Sequence, residues 1–111
     1  MLDGFIAATS NTGVQLNELD PLTELDVRTE NSLYRIIVVH PHAGAVVVSG
    51  GNWCPTPVEA HLAGSGFGGS FLKMRWIGVG FRMELYFADQ VIVTSHVRSI
   101  QFRAEPTGPR F

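Results

Sequence analysis

The 111-residue chain is 45% hydrophobic and only 16% charged, with a formal net charge of −2. That length suits one domain, since domains typically run roughly 100 to 150 residues, and the composition excludes disorder. A charged fraction below the roughly 25% usual for soluble domains predicts an apolar surface, and such a surface points to contact with copies of itself or with a protein partner.

A single cysteine, Cys54, excludes an internal disulfide framework and a CxxC zinc site. The segment Met1-Leu2-Asp3-Gly4-Phe5-Ile6-Ala7-Ala8 carries an acid where a secretory signal carries positive charge. No run approaches the roughly 20 apolar residues that cross a bilayer, so the expected address is the cytoplasm, with no membrane partner. Charge is unevenly placed: residues 1–30 hold six acids against Arg28, and residues 71–111 hold six bases against three acids. Seven of the eight bases are arginine, which suits ion pairs because its planar fork binds carboxylates in pairs. The acidic and basic ends either pair between subunits or face each other within one domain.

In chain order, residues 1–22 have no clear hydrophobic period and are expected to be an N-terminal arm, followed by a single barrel domain over 23–103 and a frayed tail over 104–111. From Leu25 the alternation of Leu25, Val27 and Thr29 with Asp26, Arg28 and Glu30 predicts a half-buried strand. The β-branched run 33–39, the turn His40-Pro41-His42-Ala43-Gly44 and the run 45–49 predict a hairpin. Residues 56–64 satisfy two signatures. Thr56, Pro57, Glu59 and Gly64 sit where a capped helix would want them, and Val58, Ala60 and Leu62 alternate as in a strand; the segment is too short for a helix without packing, which favours the strand. Residues 64–70 are a glycine-rich loop. Beyond it Phe81, Met83, Leu85 and Phe87 face a core, with Arg82, Glu84 and Tyr86 outward, and Ala88-Asp89-Gln90 turns the chain into a strand from Gln90 to Thr94. Gly78 and Gly80, on one face of the alternation, suggest a sharp sheet bend or a close approach of another backbone. Residues 94–100, with Val97 and Ile100 three apart on one side, read as a helical turn or an irregular link before a last short strand at Gln101-Phe102-Arg103.

Five or six short strands with no long helix argue for an all-β sandwich or, at this size, a small barrel, closed or partly open, and the barrel is the fold expected. The stretch 91–100, a strand running into one helical turn and a short final strand, resembles the end of SH3-like barrels, and the stretches 27–36 and 77–85 look like small bacterial β-barrel proteins to which no activity is assigned. The resemblance spans residues 25–103 and implies a fold, with no catalytic motif.

His40 and His42 are the first candidate metal ligands: in a strand both rings would emerge on one face, with His61 or His96 completing the shell. The alternative is two solvated turn histidines. Gly64 to Gly69 lacks the GKS or GKT ending of a phosphate loop. Cys54 as a nucleophile needs a neighbouring base such as His61 or His96. Arg75, Trp76, Arg82 and Tyr86 form a candidate single-stranded nucleic-acid face, against which stands a pI near 6.0. Trp53, Phe67, Phe71 and Trp76 are candidate interface anchors, or Phe71 and Trp76 simply fill the barrel. Ile37, Val39, Val47, Val79 and Ile92 fall on the second face of their strands, which a monomer leaves wet. The reading favoured is a non-enzymatic small barrel that self-associates as a binding or assembly module without cofactor, with a His40/His42 metal protein and a nucleic-acid binder as alternatives.

Overall fold

The computed structural model describes residues 6–10, 12–51, 54–66 and 72–103. The chain runs β1 (Ile6–Ser10), β2 (Gly13–Gln15), a 3-10 turn (Leu16–Glu18), β3 (Glu24–Thr29), β4 (Leu33–His40), β5 (Ala45–Gly50), β6 (Cys54–Gly66), β7 (Leu72–Met74), β8 (Trp76–Gly78), β9 (Arg82–Phe87) and β10 (Gln90–Arg103). Six of these close an antiparallel ring: β3 pairs β4, β4 pairs β5, β5 pairs β6, β6 pairs β9, β9 pairs β10, and β10 returns to β3. The protein is therefore an all-β small barrel. β1 adds to β10, β7 adds to β6, and β2 and β8 pair with each other outside the ring. No helix among the described residues is long and apolar enough to cross a membrane.

Closure depends on the two long strands, each of which serves two partners in succession. β6 pairs with β5 as far as His61 and then with β9; β10 pairs with β9 as far as His96 and then with β3. A strand that changes sheets has to bend, and bends are made at bulges and glycines. Where β6 passes to β9 its register shifts between Leu62 and Gly64, in addition to a shift against β5 between Cys54 and Val58, and Gly64 (φ +153°) presses against the Lys73 carbonyl, leaving no room for a Cβ. β10 has two shifts, between Val93 and His96 and between Val97 and Ser99. Each bulge reverses the inside–outside alternation, so Thr94, Val97 and Ile100 are all buried at a spacing of three. That spacing is what predicted a helical turn near the C-terminus. The chain there is strand through to Arg103, so the helical turn, and with it the feature shared with SH3-like barrels, is replaced by two bulges.

Residues 57–63 are strand, as the length argument favours. The core is filled by the inward alternation of the ring: Leu25 and Val27, Tyr34, Ile36 and Val38, Val46 and Val48, Met83 and Leu85, each nearly or fully buried. The stretch expected to be an arm contributes as well. β1 and β2 lie within it, and Val14 and Leu16 join Ile77 in the same core; the Leu16 amide donates to the Arg75 carbonyl at 2.7 Å. Across the β2–β8 pair the Trp76 indole lies over Gly13 and Gly78, where a Cβ at either position would meet the ring. Trp53, Phe67, Phe71 and the tail 104–111 lie outside the described residues.

Candidate functional site

The outer surface of the ring carries the features that the core does not use. On β4 and β5, Ile37 stands opposite Val47; Glu24 on β3 flanks the pair on one side and Glu59 on β6 on the other. One step along, the register lines up His40, Ala45, His61, Tyr86 and Val91 in a row across β4, β5, β6, β9 and β10. Val39, His40, Ala45, Glu59, His61 and Tyr86 line a shallow groove of about 410 Å³ there. A second groove of about 310 Å³ lies beyond Tyr86, over the β9–β10 turn, so Tyr86 stands between the two. Ile37 and Val39 are half-buried on this face, as expected, with Val47. Val79 is not on it: it follows β8 in a turn and packs, like Ile92, against the core.

The metal reading required a strand through both histidines. β4 ends at His40, and the Ala43 amide donates to the His40 carbonyl to start a turn, so His42 is carried away as an exposed turn residue whose carbonyl accepts from Arg75 Nε at 3.3 Å. His40 shares its groove with His61 instead, and His96 is engaged elsewhere. Among the described residues no three His, Cys, Asp or Glu side chains are grouped to hold a metal ion. Cys54 is buried, its thiol donates to the Gly50 carbonyl at 3.0 Å, and burial raises its pKa, the opposite of what a thiolate nucleophile needs.

Three of the four residues of the nucleic-acid reading, Arg75, Arg82 and Trp76, are engaged locally. Arg75 is held to the 41–44 turn, and Arg82 Nη1 donates to the Thr94 carbonyl at 3.5 Å. Trp76 meets Phe81 edge-on with ring centres 5.0 Å apart and carries the Lys73 ammonium 4.6 Å above its face. Tyr86 belongs to the groove row on β9, half exposed.

The acidic and basic ends of the sequence meet within one chain, where β3 lies beside β10. Asp26, nearly buried, accepts from Arg103 Nε at 2.8 Å and from Arg35 Nε at 3.2 Å, so one carboxylate ties β10, β3 and β4 together. Glu30 pairs with His96 Nδ1 at 3.1 Å and with Arg98 Nη2 at 3.7 Å. Hydrogen bonds from the His96 side chain and backbone hold the Glu30 carboxyl below its ordinary pKa of 4.5. A carboxylate with a depressed folded-state pKa gives stability that is fully present above the unfolded value and disappears as pH falls through the folded one. Glu30→Gln should remove that component. Chemical-denaturation midpoints of the variant and the parent should then differ above about pH 4.5 and converge on further acidification. Parallel profiles would show that the pair carries none of the acid response.

No protein-family model matches the chain, and no curated protein or solved structure matches it either.

Proposed function

We propose that this protein is a non-enzymatic small β-barrel that self-associates and works as a binding or assembly module. The observation that carries the reading is the distribution of apolar side chains. The interior is filled by fully buried residues, yet Leu33, Tyr86, Val91 and Val93 are about half exposed on the outside, with Ile37, Val39 and Val47 half-buried among them. Scattered exposed apolar residues are ordinary; apolar residues recurring along the outer positions of neighbouring strands mark a surface that is covered in use. Glu24 and Glu59 border Ile37 and Val47, and the arginine–carboxylate pairs made by Asp26 and Glu30 are satisfied internally. The reading sets the assembly in the cytoplasm, where Cys54 stays a buried thiol.

Light scattering on the purified chain at micromolar concentration should give a mass that is a multiple of 12.1 kDa. A strictly monomeric mass across that range would sink the reading.

A further inference from the structure

Each long strand has one half that pairs on a single side. Among the described residues, β6 ahead of His61 pairs only with β5, and β10 over residues 90–93 pairs only with β9. A strand edge left open is a template for another strand, and natural barrels blunt such edges. The edge on β6 is blunted. The Leu62 amide donates to the Gly44 carbonyl at the β5 side, so alternation as far as Val58, where the regular pairing with β5 ends, turns the nitrogen of the adjoining Pro57 to the open side, where proline has no N–H to offer. The edge on β10 reads Gln90-Val91-Ile92-Val93-Thr94, without proline, glycine or charge.

The direction of its backbone groups follows from β9. The Met83 amide donates to Thr94 Oγ1 and so faces β10. Alternation along β9 gives Leu85 and Phe87 the same direction, and their register partners Ile92 and Gln90 complete the ladder with them. The amides and carbonyls of Val91 and Val93 therefore point to the open side. The side chains of these two residues are 56% and 48% exposed.

We propose that residues 90–94 form a self-pairing edge, joining two copies of the barrel antiparallel across a two-fold axis at Ile92. This rests on the self-association reading above and assigns the surface responsible. Val91 then lies against Val93 of the partner subunit, and Val93 against the partner's Val91. Both residues carry outward amides and carbonyls, so each pair closes in the hydrogen-bonded geometry. A second copy is the occupant because the edge is complementary to itself. Its sequence is uncharged read in either direction, and the two-fold axis sets each outward amide of Val91 and Val93 against an outward carbonyl of the other copy. The four valines continue the outer row that begins at Tyr86.

Val91→Pro deletes an outward amide and leaves the β9–β10 ladder its bonds. By sedimentation velocity the variant should self-associate at least about thirtyfold more weakly than the parent, while Met74→Lys, at an exposed side chain on β7, should leave the constant unchanged. If Val91→Pro associates as the parent does, the edge is overturned; loss of association only in Ile37→Lys, on the outer face of β4, would then keep self-association and move it to the β4–β5 face. A monomeric parent overturns both the edge and the reading beneath it. Amide hydrogen exchange of the parent gives a test that needs no variant. Protection at Val91 and Val93 should grow with protein concentration; protection that is absent throughout, or equal at every dilution as for a segment of the same chain, overturns the pairing.

Discussion

Replacing Gly50 with alanine should destabilise the barrel by about 3 kcal/mol or more, one of the largest effects of any single methyl group in this chain. Gly50 ends β5 at a register shift, pairing with Tyr34 on β4 and with Cys54 at the start of β6. Two costs combine there. Its φ of +112° lies in a region that residues with a Cβ rarely enter, and the added Cβ would be driven into the Leu33 carbonyl oxygen, which is backbone and cannot swing away. Gly80→Ala separates the two costs, because Gly80 has a φ of +91° but nothing near the position a Cβ would take. That variant should lose only the conformational part, about 1 kcal/mol. Urea unfolding of both variants checks the argument, and equal losses would mean that the contact with Leu33 relaxes freely.

Gly50 also shows what a sequence can and cannot display. Gly50-Gly51 marks the end of a strand in any reading, and the hairpins on either side of 41–44 and 88–89 follow from β-branched runs interrupted by turn residues. Strict alternation placed Met83 and Leu85 inside and Arg82, Glu84 and Tyr86 on the other side. Alternation stops being informative wherever a bulge intervenes, because a bulge adds one residue to one strand and leaves no mark in composition. Val97 and Ile100 therefore looked helical while lying on an extended strand. The hairpin register, which sets Ile92 opposite the buried Leu85, puts Val91 and Val93 outside and Ile92 against the core, the reverse of the expected second face.

Short pairings are illegible for a different reason. β2 is three residues long, too few to show a period, although it brings Val14 to the core with Leu16 just after it. The outer row from His40 to Val91 joins five strands and is fixed by register alone. No local spacing announces that His61 stands beside Tyr86, whereas His40 and His42 are conspicuous in sequence and are parted by the end of β4. The charge asymmetry was visible as a total; that Asp26 is the residue clasped by Arg35 and Arg103 depends on which strands became neighbours.

Leu85→Ala should cost about 3 kcal/mol and lower Tm by more than about 10 °C. Leu85 is fully buried, and its register partners are Leu62 on β6 and Ile92 on β10, so it sits at the seam where β9 bridges the two long strands. Four of the six pairings in the ring are joined by short hairpins as well as by hydrogen bonds; β10 with β3 and β6 with β9 are not, and between β6 and β9 the chain detours through β7 and β8, so this seam relies on its ladder and on side-chain packing. Removing the isobutyl group leaves a void that two strands with bulges nearby cannot close without giving up register. Leu85→Met, which conserves volume, should cost less than about 1.5 kcal/mol, and Val91→Ala, at a side chain 56% exposed, no more than about 0.5 kcal/mol in a dilute monomer. Amide exchange in Leu85→Ala should accelerate first in β9 and the first half of β10, ahead of the β3–β4 pair. A uniform acceleration across the ring would show instead that the barrel opens as one unit and that the β6–β9 seam is no weaker than the hairpins around it.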